Sequence, residues 1–331
     1  EQRKAVKRQA SAWRSRAKWI GLAAVLLLVG IGAAAIFILG KANTRPDVSW
    51  VAPANTLAVL PFRSVDTDGS QSYFAYGMTQ AIVTRLTAVR NLRVVSFASV
   101  SADQSDATAW EEILRNQSIK RVLTGTVLRS GGRVRIDAHL IDPRTRALDW
   151  AKSYDRTVED VLDLQSAVAE AIASEIQVSV TTEDRERLRQ RRQVKPEALD
   201  AYLRGRYYWN RRTEDGLKRA AQYFQQAIAV DATYAPAHAG LADSYSLLGS
   251  IGIDGMPPNK AMPLAKAAAQ KAIELDPELS EGHVSLAYVS LSYDWDLPGA
   301  ARKFARALEL NPSSATARHW YSHYFMAAGD L

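Results

Sequence analysis

Histidine and aspartate side chains are the groups in this chain that could carry acid–base or metal chemistry. His319 and His323 lie four residues apart, so a helix would place both imidazole rings on one face, as a metal pair requires. A metal site also needs a third ligand, and no carboxylate is obviously placed to supply it. Asp294 and Asp296 look like paired carboxylates, but they fall in a predicted turn between helices, where Asp296 is suited to cap the second helix. We therefore predict repeat packing for the two histidines and a capping role for Asp296.

Enzyme motifs and cysteine are both absent from the sequence. It contains no nucleophile elbow, phosphate-binding loop or dinucleotide fingerprint. Without cysteine, disulfides and thiolate metal sites are excluded. The prediction is a chain that is not an enzyme by its own residues and has no catalytic residue, metal or cofactor. A catalytic domain, if the protein has one, would lie outside these residues.

One uncharged run organises the first part of the chain. Residues 19–39 include no charged, amide or hydroxyl side chain, and 21 residues at about 1.5 Å each match a hydrocarbon core of roughly 30 Å. Seven lysines and arginines precede the run and two follow it closely, which places residues 1–18 in the cytoplasm and those after Lys41 outside it. The alternative, a cleaved signal peptide, has a shorter apolar segment. We predict a single-pass helix in the inner membrane, with a periplasmic or extracytoplasmic chain beyond it.

Net charge gives little support to nucleic-acid binding. The chain carries +7, but residues 1–18 hold seven basic groups and one acid, which leaves about +1 for the rest. Residues 185–212 mix arginine with tyrosine and tryptophan, a combination that can bind single-stranded nucleic acid. Acidic residues dilute this charge, and the predicted topology places it outside the cytoplasm. We predict a solvated helix face and a repeat core there, so that DNA would be bound only through an upstream domain.

Hydrophobic periodicity over residues 56–182 predicts an α+β domain. The predicted elements are strand 56–62, a helix from Tyr76, strand 92–97, a short helix near Trp110, strands 121–129, 133–142 and 148–154, and a long helix 158–182. Ser130-Gly131-Gly132 indicates a hairpin, because glycine accepts positive φ. Leu148 and Trp150 are expected on one face of the last strand. The order β-α-β-α-β-β-β-α predicts one mixed sheet with packed helices.

Motifs spread along these elements resemble the TolB amino-terminal-like domain. They are, in chain order, Ala58-Val59-Leu60-Pro61-Phe62, Tyr73-Phe74-Ala75 with Gly77, Leu92-Arg93-Val94, Val122-Leu123-Thr124-Gly125-Thr126-Val127, Arg133-Val134-Arg135-Ile136 with Leu140-Ile141-Asp142, and Trp150 with Tyr154. The resemblance covers roughly residues 56–180 and implies a bacterial membrane regulator that carries this domain after a transmembrane helix. Tyr76 stands where the family usually has an acid, so no ligand face is carried over.

Residues 197–331 are periodic. Ala227, Ala272 and Ala307 are equivalent, and the last two are 35 residues apart, close to the period of about 34 of a tetratricopeptide repeat. An insert at 249–259 lengthens the first interval to 45 residues. Other equivalent positions are Phe224 and Phe304 in second helices, Leu203, Leu241 and Leu286 in first helices, and His238 with His283. The pattern resembles about three and a half such repeats, an all-α solenoid in which small alanines let paired helices approach.

The resemblance to tetratricopeptide repeats implies a protein or peptide partner in a concave groove lined by first helices. The first helices here carry varied polar groups, and we predict Arg204, Asp243, Ser244 and His283 as the partner-binding groove. The membrane is the second predicted partner. A homodimer is also an option, since Gly30 and Ala34 form a small-residue pair on the anchor.

The predicted domains are a basic cytoplasmic tail 1–18, a transmembrane helix 19–39, a linker 40–55, the α+β domain 56–182, a charged helical linker 183–196 and the repeats 197–331. The predicted function is the extracytoplasmic sensor or protein-interaction region of a bacterial signalling or transcriptional regulator. The alternative is the non-catalytic C-terminal part of a membrane serine/threonine kinase or adenylate cyclase. The resemblance allows a winged-helix DNA-binding domain, a kinase or a cyclase before the anchor, and the sequence does not choose among them.

Overall fold

A computed structural model describes residues 55–66, 70–87, 89, 92–96, 119–176, 194–250 and 255–329. The basic tail, the run 19–39, most of the linker before residue 55, the short helix near Trp110 and the charged segment up to residue 193 lie outside these residues. Within the described residues, no helix combines the length and apolar character that a membrane crossing requires. The predicted membrane span therefore stays a prediction.

Six strands of the described residues form one mixed sheet. They are β1 (Asn55–Val59), β2 (Arg63–Ser64), β3 (Leu92–Ser96), β4 (Ile119–Ser130), β5 (Arg133–Ile141) and β6 (Leu148–Thr157). The order across the sheet is β3-β1-β4-β5-β6, with β2 paired to β4. β1 lies parallel to β3 and β4, whereas β4, β5 and β6 are antiparallel. The predicted mixed sheet is confirmed, and Pro61, which cannot donate to a ladder, separates β1 from β2.

The β4–β5 hairpin turns on two glycines, as predicted. Gly131 and Gly132 have φ of +55° and +77°, a conformation that matches the twist of the flanking strands. A third glycine, Gly125, lies in β4 where any Cβ would meet the Asp137 carbonyl oxygen and the Phe62 ring. Glycine is therefore required at position 125 by the close packing of β4 against β5 and Phe62.

The prediction that Leu148 and Trp150 share a face is wrong. Trp150 lies opposite Leu140 on β5 and Leu148 lies opposite Ile141, with an irregularity in the register between them. The extra residue, Asp149, reverses which face the next side chain occupies. As a result Leu148 is 60% exposed, while Trp150 packs against the core.

Two helices, α1 (Ser72–Thr87) and α2 (Val161–Glu175), cover one face of the sheet. α1 begins four residues before the predicted start because Tyr73 and Phe74 pack into the core as its first turn. The core between sheet and helices is apolar and fully buried; its members include Leu57, Met78, Leu123, Ile136, Val168 and Ile172. This core places the exposed end of α1 beside the helices that follow.

In the described part of the chain after α2 there are seven helices: α3 (Pro196–Trp209), α4 (Glu214–Val230), α5 (Ala235–Leu248), α6 (Pro258–Leu275), α7 (Ser280–Ser292), α8 (Leu297–Leu310) and α9 (Ala315–Ala328). They form the pairs α3/α4, α5/α6 and α7/α8, with α9 as the first helix of a further pair. Asp296 caps α8 by accepting a 2.9 Å hydrogen bond from the Gly299 backbone, which confirms its predicted role. We call α3, α5, α7 and α9 the first helices.

The predicted repeat positions are confirmed by packing. Ala227, Ala272 and Ala307 have no exposed surface, and neither do Phe224 and Phe304. The Phe224 ring is enclosed by glycines: a Cβ on Gly205 of α3 would come within 2.6 Å of it, and one on Gly240 of α5 within 2.5 Å. Successive first helices pack on one another, while the second helices pack mainly on their neighbouring first helices. The first helices are therefore on the inner, concave side of the array.

Helix α3 belongs to both halves of the structure. Leu199 and Leu203 are buried in the core of the α+β region, and a Cβ on Gly77 of α1 would come within 2.6 Å of the Leu203 side chain. Leu203 holds the predicted first-helix position, and its packing partner there is α1 of the α+β region. The other face of α3 carries Trp209 into the core of the array.

Candidate functional site: the concave side of the helical array

The four residues predicted to line a groove do not share one exposed surface. Ser244 is fully buried, and its hydroxyl donates to the Gly240 carbonyl oxygen at 2.9 Å. Asp243 is only 4% exposed and is held by neighbouring side chains. Ser244 cannot contact a partner, and Asp243 acts within the array. Both were predicted to be groove residues because a helix of this composition gives no sign of which polar positions are covered.

His283 has a repeated structural task. Its Nε2 lies 2.8 Å from the carbonyl oxygen of Pro277, six residues earlier, and His238 makes the same contact with Ala232 at 3.0 Å. In the next first helix, Arg318 donates to the carbonyl oxygen of Pro312, again six residues earlier. These contacts tie each first helix to the turn before it. The two histidines, predicted to be equivalent, make equivalent contacts, and one ring nitrogen of the predicted groove residue His283 is engaged.

Arg204 lies at the junction with the α+β region, away from the other three predicted residues. Its Nε donates to Asp200 at 2.9 Å and its Nη2 donates to the Tyr73 hydroxyl at 2.9 Å. Arg129 of β4 contacts the same carboxylate at 2.5 Å, and the Tyr73 hydroxyl donates to it at 2.8 Å. Burial alone would raise the pKa of Asp200, but the hydrogen bonds from Arg204, Tyr73 and Arg129 outweigh it and hold that pKa below its ordinary value.

A buried polar line crosses three first helices. Arg206 of α3 contacts Asp243 of α5 at 3.3 Å, and the Ser285 hydroxyl of α7 donates to the other Asp243 oxygen at 2.6 Å. Burial raises the pKa of Asp243 to about 6, although Arg206 and the hydrogen bond from Ser285 oppose the rise. The line fixes the relative position of the three helices on the concave side.

Arg206 and Arg212 enclose the indole of Trp209. Their guanidinium carbons lie 4.5 Å and 3.7 Å from its ring centroid, and the indole Nε1 has no hydrogen-bond partner among the described residues. Arg206 is engaged by Asp243, whereas Arg212 makes no hydrogen bond or ion pair with the described part of the chain. Burial lowers the pKa of Arg212, with Asp243 acting in the opposite direction. Arg212 is thus a cation stacked on an indole, with its guanidinium partly desolvated by the surrounding residues and the rest of the side chain open to solvent.

Side chains from α7 and α9 lie near Arg212 on the concave side of the array. Arg212 is close enough to His319 to lower the pKa of His319, after the larger effects of burial and of His323. The His319 and His323 rings are 5.1 Å apart, and His323 packs on Tyr288. No group of three or more metal-binding side chains occurs in the described residues. We call Arg212, His319, His323 and Tyr288 the concave mouth.

Helix α1 of the α+β region also lies near the concave mouth. The Tyr76 ring of α1 lies 5.9 Å from the Tyr207 ring, and its hydroxyl is within electrostatic range of Arg206 and Arg212. At the other end of the array, the Ser313 hydroxyl donates to the Leu92 carbonyl oxygen at 3.4 Å. The concave mouth therefore has α1 as a neighbour as well as the first helices. This arrangement of cations, imidazoles and aromatic rings is suited to binding and contains no nucleophile–base pair.

Part of the chain is similar to known proteins. No family model matches the sequence. A protein of Rhizobium meliloti (strain 1021) named "Putative adenylate cyclase 3" is 34% identical over 261 residues, which are 77% of this chain and 44% of that protein. The chain therefore spans less than half the length of this relative.

Solved structures resemble each half separately. The TPR domain of Arabidopsis OM64 has a TM-score of 0.32 and 16% identity over 40% of this chain and 96% of its own. The TPR2B domain of yeast Sti1, solved with an Hsp70 peptide, has a TM-score of 0.33 and 18% identity over 41% of this chain and 100% of its own. TolB from Acinetobacter baumannii has a TM-score of 0.27 and 16% identity over 37% of this chain and 28% of its own. By sequence, the chain is similar to one part of a protein named as an adenylate cyclase.

Proposed function

We propose that this chain is the non-catalytic, partner-binding region of a bacterial membrane signalling protein, and that its helical array binds a protein or peptide. The observation that carries the proposal is Arg212. Its guanidinium is held against Trp209 at 3.7 Å, at an exposed position and without an acid partner among the described residues. A guanidinium stacked on an indole and without an acid partner can bind a carboxylate. Each hydrogen bond to such a charged group contributes about 1.5–3 kcal/mol to binding.

Neighbouring side chains favour a peptide over a small ion. Tyr288 and the two histidines of the concave mouth extend the surface beyond a single charge, and Trp320 packs on Tyr288 with ring centroids 4.5 Å apart. Asp243, the acid whose charge acts on this cation, is buried and already shared by Arg206 and Ser285. A peptide that carries an acidic or terminal carboxylate beside an aromatic or apolar residue fits this combination.

The membrane anchor and the extracytoplasmic location are further parts of the proposal. Their support is the uncharged run 19–39 and the excess of basic residues before it. The effector upstream of this chain is proposed to be an adenylate cyclase catalytic domain, in preference to a kinase or a winged-helix domain. The support for this choice is the relative named as a cyclase, more than half of which lies outside the matched part.

Selection from a displayed peptide library tests the binding site. Arg212→Gly is a suitable variant because Arg212 has φ of +56°, which glycine adopts without strain. We expect peptides selected on the native chain to bind Arg212→Gly at least about tenfold more weakly, the equivalent of one lost charged hydrogen bond. Arg302→Ala, at an exposed position of α8, is the matched control and should bind like the native chain. Equal binding by Arg212→Gly would refute the assignment of this site.

The coding sequence upstream of Glu1 tests the choice of effector. A cyclase catalytic domain there would support the proposal, and kinase catalytic-loop motifs or a winged helix would contradict it.

A further inference from the structure

Strand β6 is an open edge of the sheet. It pairs with β5 on one side, and among the described residues no strand pairs with it on the other. Natural sheets blunt such edges with proline or with bulges. From Trp150 to Thr157, however, the pairing of β6 with β5 is regular and the strand contains no proline. Residues 150–157 therefore form a regular edge to which another strand can be added.

The register shows which backbone groups of β6 face the open side. The Val158 amide donates to the Gly132 carbonyl oxygen at 2.9 Å, so these two residues are a hydrogen-bonded pair. Hydrogen-bonded and non-hydrogen-bonded pairs alternate along antiparallel strands, so the amides of the even-numbered residues of β6 bond to β5. The amides of Ala151, Ser153 and Asp155, three exposed residues, point away from β5 and have no partner among the described residues. They are donors for an incoming backbone.

A groove of about 450 Å³ lies between this edge and helix α2. Tyr154 of β6 and the small side chains of Ala167 and Ala171 of α2 line it. The Tyr154 hydroxyl is buried and has no hydrogen-bond partner in the described part of the chain. Lys152 and Arg156 lie on the same face of β6, on either side of Tyr154, and the Lys152 ammonium is 5.3 Å from the Tyr154 ring centroid. Alternate side chains of an added strand would therefore enter this groove.

The charges beside the groove select an acidic strand. Lys152 and Arg156 have no acid partner among the described residues, and Arg156 donates only to a backbone carbonyl oxygen. The nearby acids are already engaged, since Asp155 is held by Arg133 at 2.7 Å and Glu170 also has a partner. An apolar strand would cover the two cations without pairing them, which is a device by which natural edges exclude other chains. Carboxylates opposite these positions would instead form cross-strand ion pairs.

We propose that β6 is a second docking site, to which an extended peptide segment of a partner protein adds as a further strand of the sheet. This segment carries two acidic residues with the spacing of Lys152 and Arg156, and a small polar residue between them that enters the groove beside Tyr154. Backbone hydrogen bonds to the outward amides provide affinity, and the two cations provide specificity. The site shares no residue with the concave mouth.

Two synthetic peptides test the role of the charges. They share one framework of threonine and valine, and at two positions with this spacing they carry either glutamate or lysine. In fluorescence anisotropy, the detergent-solubilised 331-residue chain should bind the glutamate peptide at least about tenfold more tightly than the lysine peptide. Lys152→Glu combined with Arg156→Glu should reverse this preference. The same charge change at exposed positions of the array, Lys260→Glu with Arg302→Glu, is the matched control and should keep the native preference.

Amide hydrogen exchange tests the strand pairing. In the free chain the amides of Ala151 and Ser153 should exchange rapidly, whereas those of Lys152 and Tyr154 should be protected by β5. The glutamate peptide should slow exchange at Ala151 and Ser153 at least about tenfold. Ala151→Pro removes one outward amide without removing a bond to β5, so it should weaken peptide binding. Ala151→Thr keeps that amide and should bind like the native chain.

Equal binding of the two peptides by the native chain would overturn the proposal. A preference for glutamate that survives the paired change at Lys152 and Arg156 would also overturn it, because the carboxylates would then bind elsewhere, as at the concave mouth. Protection of Ala151 and Ser153 before any peptide is added would show that the chain itself covers this edge, and the site would be refuted. If Ala151→Pro does not fold, exchange in the native chain decides, and unchanged exchange at Ala151 and Ser153 with bound peptide would exclude strand addition.

Discussion

Replacing Asp243 by asparagine should not destabilise the protein at neutral pH, although it removes one partner of a buried ion pair. Asp243 is 4% exposed, and burial raises its pKa from 3.8 to about 6 in spite of Arg206 and Ser285. The free-energy cost of desolvating this carboxylate is therefore larger than the stabilisation that Arg206 and Ser285 provide. At about 1.36 kcal/mol for each pKa unit, ionising Asp243 costs about 3 kcal/mol more in the folded protein than in the unfolded chain.

The sign of the pH dependence follows from this shift. Between about pH 4 and pH 6 the folded chain holds a proton on Asp243 that the unfolded chain has released, so the free energy of unfolding decreases as the pH rises through this window. Asparagine has nearly the same volume, can still accept hydrogen bonds from Ser285 and Arg206, and does not ionise. Asp243→Asn should therefore be up to about 3 kcal/mol more stable than the native chain at neutral pH, and the two should converge near pH 4.

Urea unfolding at several pH values measures this difference directly. The difference between the two proteins isolates Asp243, because other titrating groups such as His319 contribute equally to both. Arg206→Gln is the matched control with the opposite sign, because it leaves a buried carboxylate without its cation. It should lose about 3–5 kcal/mol at neutral pH and recover much of it in acid. A loss of more than about 2 kcal/mol by Asp243→Asn at neutral pH would show that the pair is net stabilising and refute the reasoning.

Three further predictions concern the junction, the packing and the topology. Asp200→Ala should weaken the attachment of α3 to the α+β region by about 1.5–3 kcal/mol, because it removes charged hydrogen bonds from Arg129 and Arg204; amide hydrogen exchange in α3 should increase accordingly. Gly240→Ala should lower the free energy of unfolding by about 1–3 kcal/mol in urea titrations, since its Cβ would lie 2.5 Å from Phe224. A reporter enzyme that works only outside the cytoplasm should be active when fused after residue 331 and inactive when fused before residue 13; the reverse pattern would refute the predicted topology.

The sequence predicted the elements well because their signals are local. Gly131 and Gly132 specify a hairpin by themselves, and the alanine–phenylalanine spacing of the array records how paired helices approach. The face of Leu148 was missed because a β-bulge at Asp149 depends on how β6 meets β5, which no spacing within β6 reveals. The same holds for Leu203, whose repeat position was correct as a pattern but whose partner, Gly77, is more than one hundred residues away.

The site was predicted less well than the fold. The sequence predicts groove residues from the polar positions of first helices, but burial separates Asp243 and Ser244 from Arg204. Arg206 and Arg212 were assigned to a solvated face of an arginine-rich segment. The signal that could have found them is their spacing of three residues on either side of Trp209, which on a helix and its following turn brings both guanidinium groups to one indole.

Helix α3 gives the two halves of this structure a shared element. Leu199 and Leu203 fix one face of it in the core of the α+β region, and Asp200 fixes its outer edge to α1 and β4. One turn further on, Arg206 and Trp209 belong to the concave side of the array. Leu203 and Arg206 therefore stand on one continuous helix that packs on α1 with one face and on the array with the other.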